Sequence, residues 1–200
     1  MHAFSDGYFY SPYPVIPAVI AMGTLAQMDA FDILLESYPS PNAGCKRQFN
    51  DYDEVEQRLG ISLPDDFKGV NCNYGPGLWM NELWVLDPLD SRMAALWDPQ
   101  RSYVMKHLTL APCELDGGNP LPAWPAPGGV LPWGGTQNGG YMLWLTEGDP
   151  NEWSTIYRFG REPDSGLYEM SCSEFLLESL RGNIAEHVFP ESDSRPFVPE

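Results

Sequence analysis

Histidines, cysteines and paired carboxylates are the residues that could give this chain chemistry, and their spacing forms no recognisable constellation. His2, His107 and His187 lie far apart, and none has a cysteine or second histidine within a few residues. A metal site needs convergent ligands at short spacing, so no metal is expected. Cys45, Cys72, Cys113 and Cys172 include no C-x-x-C pair, and no local signature of a thiol nucleophile surrounds any of them. Buried, inert thiols are the expectation. Gly134, Gly135, Gly139 and Gly140 fit neither the dinucleotide-binding fingerprint nor the P-loop, and no lysine follows them. No cofactor is therefore expected.

Glycoside hydrolysis asks for less, because two facing acids suffice and sugars stack on tryptophan. Trp79, Trp84, Trp97, Trp124, Trp133, Trp144 and Trp153 are compatible with it. Their alternation along strand-like segments favours core packing instead, and no particular pair of acids stands out. A glycan-binding or glycan-cleaving protein is thus the third reading, behind two that need no catalytic residue.

The charge balance points to binding. The chain of 200 residues has 28 acids against 11 bases, a formal net charge of -17 and a sequence pI of about 4.3. A field of that sign repels nucleic acid and anionic lipid and attracts basic partners. The expected partner is a protein, with no nucleic acid and no membrane. Val15 to Met22 is apolar but too short to span a bilayer. Residues 1–45 contain no Lys or Arg, so the basic start of a signal peptide is missing. Wide cysteine spacing in a chain of this size suits free thiols in a reducing compartment. A cytoplasmic protein is expected.

The elements that must position any site follow from periodicity. Residues 1–27 read as an irregular extension, aromatic and proline-rich at first. Met28, Phe31, Leu34, Leu35 and Tyr38 recur at helical spacing behind Asp29 and Asp32. A second helix is expected from an Asp51-x-x-Glu54 capping box to a stop at Gly60. A third has Pro64 at its first position and Asp65 and Asp66 at its positive end, with Phe67 and Val70 facing inward. The period then changes to two. Leu78 to Leu86 reads as a strand or tight pair bent at Asn81-Glu82, and residues 91–101 as a short helix. Pro112 to Gly129 reads as a long loop. Strands are expected over 130–133, 141–146, 153–160 and 167–170, with Asn138-Gly139 as a hairpin turn. Ser171-x-x-Glu174 opens a closing helix that stops at Gly182. Helices, then sequential strands, then a helix mean an α+β fold with a twisted, largely antiparallel sheet flanked by helices. One domain is expected over 28–182, with a polar tail over 183–200 that is loose from Pro190 to Glu200.

The segment from Asp53 to Lys68 (acidic helix, Leu59-Gly60, Leu63-Pro64, then Phe67) resembles the opening motif of the SUKH superfamily. Asn73-Tyr74-Gly75 is similar to its following turn. Leu131-Pro132-Trp133-Gly134-Gly135 to Gly139 resembles its central hairpin, and Ser173 to Gly182 its closing helix. The likeness covers about residues 46–182. It implies a SUKH-like α+β fold and a role without catalysis. Bacterial members are immunity proteins that bind and neutralise toxin domains, often nucleases, whereas fungal members regulate cell-wall synthesis through interactions. The expectation is an immunity-type protein for a basic toxin domain, with a regulatory interaction module as the alternative. Candidate partner contacts are Asp65, Asp66, Glu82 and Asp87 as exposed acids, with Trp79 or Trp84 as the aromatic anchor.

Overall fold

The computed structural model describes residues 28–41, 47–91, 93–97, 102–115, 118–159, 164–184 and 195–199. The extension over 1–27, Cys45 and most of the tail lie outside the described residues.

Helix α1 (Ala30–Ser37) begins at Asp29, whose carboxylate accepts from the Asp32 amide at 2.8 Å. A 3₁₀ turn (Phe49–Tyr52) leads into α2 (Asp53–Leu59), which ends where Gly60 turns left-handed at φ +74°. The capping box sits one turn earlier than Asp51-x-x-Glu54 suggests. Asp51 reaches back to accept from the Gln48 amide at 2.9 Å, because the chain enters through the 3₁₀ turn. Helix α3 (Asp65–Tyr74) has Pro64 as its cap, one position before the one expected. Its Gly69 lets α1 come close: a Cβ there would stand 2.7 Å from the Phe31 ring.

Strands β1 (Gly77–Trp79) and β2 (Leu83–Val85) form a tight hairpin. Met80 and Asn81 both have positive φ, 51° and 57°, and the Glu82 amide donates to the Trp79 carbonyl at 2.9 Å. That is a type I′ turn, whose twist matches the strands it joins. A 3₁₀ turn (Ala94–Trp97) and helix α4 (Tyr103–Leu110) follow. Then come β3 (Glu114–Leu115), β4 (Val130–Thr136), β5 (Tyr141–Leu145), β6 (Thr155–Arg158), β7 (Asp164–Tyr168), α5 (Cys172–Leu180) and β8 (Phe197–Pro199). Ser171 and Glu174 form the expected capping box of α5.

The eight strands make one sheet in the order β3-β7-β6-β5-β4-β2-β1-β8, antiparallel except for β3 with β7. The α+β class holds. The tail expected to be loose instead supplies an edge strand, pinned by Phe197 between Tyr74 and Trp79, with ring centroids at 5.4 and 4.9 Å. On one face, Phe67 of α3 meets Trp144 edge-on at 4.8 Å and stacks on Trp97 at 5.7 Å, while Phe175 of α5 meets Trp133. Strand alternation puts Tyr141 on the other face from Trp144, and there it meets His107 of α4 at 6.0 Å. Every residue of β4 and β6 is buried, so the centre of the sheet is covered on both sides.

Candidate partner-binding groove

Helix starts attract acids, because the first turn of a helix carries unsatisfied N–H groups and positive potential. The fold gathers several such starts at one end of the helical layer. Asp29 begins α1, Asp65 and Asp66 begin α3, Ser171 and Glu174 begin α5, and Asp149 begins a 3₁₀ turn (Pro150–Glu152). Asn151 in that turn locks to α3: its Oδ1 accepts from the Asp65 amide at 2.8 Å and its Nδ2 donates to the Asp65 carboxylate at 3.3 Å. Asp66 joins α3 to α5, since one oxygen accepts from the Phe67 amide at 2.7 Å and the other from the Ser173 amide at 2.8 Å.

Two adjoining clefts lie between these ends. The larger, about 400 Å³, runs between α1, α3 and α5 past Asp29, Phe31, Asp65 and Glu174. The smaller, about 240 Å³, continues past Glu152, Glu169 and Met170 and shares Asn151, Ser171 and Glu174 with the first. Among the described residues neither has a lysine or arginine in its lining. Asp29, Asp65, Glu152, Glu169 and Glu174 are all exposed. The half-buried Phe31 and Met170 give the groove apolar ground between its acids.

A lysine lies beneath rather than in this groove. Lys68 is 9% exposed and its amine reaches Glu56 at 3.1 Å and Asp65 at 3.0 Å. Burial works against its charge, but the hydrogen bonds it donates to Asp65 and Glu56 outweigh that and hold its pKa above the usual lysine value. Beside the groove, Cys172 is fully buried at the start of α5. Burial, with the Asp66 carboxylate nearby, pushes its thiol well above the ordinary range and away from thiolate chemistry.

The six residues nominated from sequence do not form one site. Asp65 and Asp66 stand together at the groove, but Asp66 is half-buried and spends both oxygens on backbone amides. Asp87 is 0% exposed and ion-paired with Arg47, with the Leu89 amide donating to its Oδ1 at 2.9 Å; it is no surface acid. It stands two residues past the end of β2, in phase with the buried Leu83 and Val85. Trp79 is 1% exposed and lies 4.6 Å from the Tyr74 ring, so it cannot anchor a partner. Glu82 is half-buried and holds the β1–β2 hairpin to the β4–β5 turn, accepting from Asn138 Nδ2 at 2.9 Å. Trp84 is half-buried on the Tyr141 side of the sheet, its ring filling the space left by Gly135. Glu152, Glu169 and Glu174 were not among the nominated contacts. Their only sequence signal is a place in or beside a helix cap, and that signal does not say which caps meet.

A third cleft, of about 430 Å³, is bounded by Trp124, Pro125, Pro127 and Pro150 and has no carboxylate among the described residues of its lining. It does not present the two acids that glycoside hydrolysis needs. Among the described residues no group of three or more His, Cys, Asp and Glu is placed to hold a metal ion. Nor is any described helix long and apolar enough to cross a membrane. The chain matches no family model, and comparison with curated proteins and with solved structures gives no match either.

Proposed function

We propose that this protein is a non-catalytic, cytoplasmic immunity-type protein that captures a basic toxin domain on the acidic groove and neutralises it by occlusion. The observation that carries this reading is the groove itself: exposed Asp29, Asp65, Glu152, Glu169 and Glu174 around an apolar floor, with no basic lining residue among the described ones. A nuclease must offer cationic side chains to hold phosphates, and such a surface complements this one in sign. The likeness of Asp53 to Lys68 and of the β4–β5 hairpin to SUKH sequences supports the same role.

The test is affinity capture from the native organism with the wild-type chain and with the double variant Glu152→Lys/Glu169→Lys. Both positions are exposed, and their side chains cap no helix, so the fold should survive. A basic partner should be captured by the wild type, lost with the variant, and have its toxic activity abolished by the purified wild type at a one-to-one ratio. Equal capture by the variant, or an acidic partner, would refute the assignment.

A further inference from the structure

Asn138-Gly139 lies in the turn that joins β4 to β5, and it is the only Asn-Gly pair in the sequence. Such a pair is prone to react with itself. Glycine has no Cβ to crowd its amide nitrogen, so that nitrogen can reach the carbonyl carbon of the asparagine side chain before it. Both residues are exposed, which gives water and hydroxide access to them.

The fold opposes the reaction at each nitrogen involved. The attacking nitrogen, that of Gly139, donates its proton to the Thr136 carbonyl at 3.0 Å. The leaving nitrogen, Asn138 Nδ2, donates to Glu82 Oε1 at 2.9 Å, and the Asn138 amide donates to the same oxygen at 3.3 Å. Gln137 ties the turn to the β1–β2 hairpin as well. Its Nε2 donates to the Asn81 carbonyl at 2.6 Å and its amide to the Glu82 carbonyl at 3.0 Å. Side chain and backbone are thus pinned to different partners. The ring cannot close until Gly139 gives up its proton and with it the bond to Thr136.

We propose that Asn138 is a self-modification site that Glu82 holds in check. When the clamp opens, hydroxide removes the Gly139 amide proton and the nitrogen attacks Asn138 Cγ. The new N–C bond closes a cyclic imide, the Cγ–Nδ2 bond breaks, and ammonia leaves. Water then opens the imide at either carbonyl, giving aspartate or isoaspartate at this position. Water is consumed, ammonia is released, and nothing is oxidised or reduced. The product carries a carboxylate where Glu82 needs a donor, and the isoaspartate form also lengthens the backbone of the turn. Like charges then oppose re-docking, so the change runs one way and unlocks the hairpins from each other. The site is independent of the acidic groove and does not rest on the immunity reading.

The experiment is incubation of the full chain at mildly alkaline pH, with the amide-to-acid mass gain at each asparagine followed by peptide mass spectrometry. Wild type is followed folded and unfolded in urea, beside folded Glu82→Ala, Glu82→Gln and Gln137→Ala. Asn138 should convert first in the unfolded chain, and about tenfold more slowly in the folded one, where the bonds to Thr136 and Glu82 must both be lost. Glu82→Ala should speed the folded rate about 3–10-fold, the value of one hydrogen bond. Glu82→Gln keeps the acceptor and should stay near wild type. In the converted chain the Gln137 amide should exchange with deuterium faster, because its Glu82 partner is no longer held. Should Glu82→Ala fail to fold, Gln137→Ala changes only an exposed side chain and should speed conversion in the same way. Equal rates in folded and unfolded wild type, a folded Glu82→Ala or Gln137→Ala no faster than wild type, Glu82→Gln as fast as Glu82→Ala, or unchanged Gln137 exchange after conversion would each overturn the assignment.

Discussion

Phe67 shows how one side chain ties the molecule together. It leaves the first turn of α3 fully buried, stacks on Trp97 and meets Trp144 edge-on, so it joins a helix, a 3₁₀ turn and the sheet. The ring takes the place of water on every side, and truncation would leave a cavity that large tryptophans cannot close. Phe67→Ala should lower stability by about 3–5 kcal/mol, read as a shift in the denaturant midpoint. A midpoint equal to wild type would show that the ring does not carry this contact. The inward face of Phe67 was legible in the sequence because helical spacing gives a residue its side. Asp87 and Trp79 were not legible in the same way. An acid and an indole near a strand end carry no local sign of depth, and only the partners Arg47, Tyr74 and Phe197 reveal it.

Elements were legible in proportion to how local their signals are. α5 has a reciprocal Ser171–Glu174 box and a glycine stop, and forms where expected. α4 carries a weaker signal, although Ser102 caps it and Val104, Met105 and Leu108 face inward. With only 8 residues, its apolar stripe is too short to stand out from the loops around it. β8 was hidden more deeply, because its pairing with β1 joins residues 77–79 to 197–199 across most of the chain. A polar, proline-bearing tail has no reason to be a strand until Trp79 and Tyr74 supply a place for Phe197. Removing residues 195–200 should therefore expose that aromatic floor and leave the Met80 amide without the Pro196 carbonyl it reaches at 3.0 Å. The expected cost is about 3–5 kcal/mol for the lost ring, with faster hydrogen exchange at Met80. A truncated chain with the same midpoint and the same exchange would show that β8 adds nothing to the sheet.

At the scale of the molecule, the acids at the groove answer to two fields. Locally they are favourable, because each sits near the positive end of a helix or turn and Lys68 lies under Asp65. Together, in a chain of net charge -17, they repel one another, and compact acidic surfaces tolerate that only because water and salt screen it. A basic partner removes the repulsion as it docks, so attraction should begin before contact. Association would then approach about 10⁸–10⁹ M⁻¹s⁻¹ at low salt and fall toward about 10⁵–10⁶ M⁻¹s⁻¹ as screening takes hold. Screening shortens to about 8 Å at physiological ionic strength, comparable with the reach of one groove, so most of that fall should come below it. Dissociation, governed by the packed floor at Phe31 and Met170, should change little with salt. Stopped-flow binding at several salt concentrations measures both rates. Glu152→Lys/Glu169→Lys should flatten the salt dependence of association far more than it speeds dissociation. A wild-type on-rate indifferent to salt would mean that the acidity serves solubility alone and that the partner is chosen by shape.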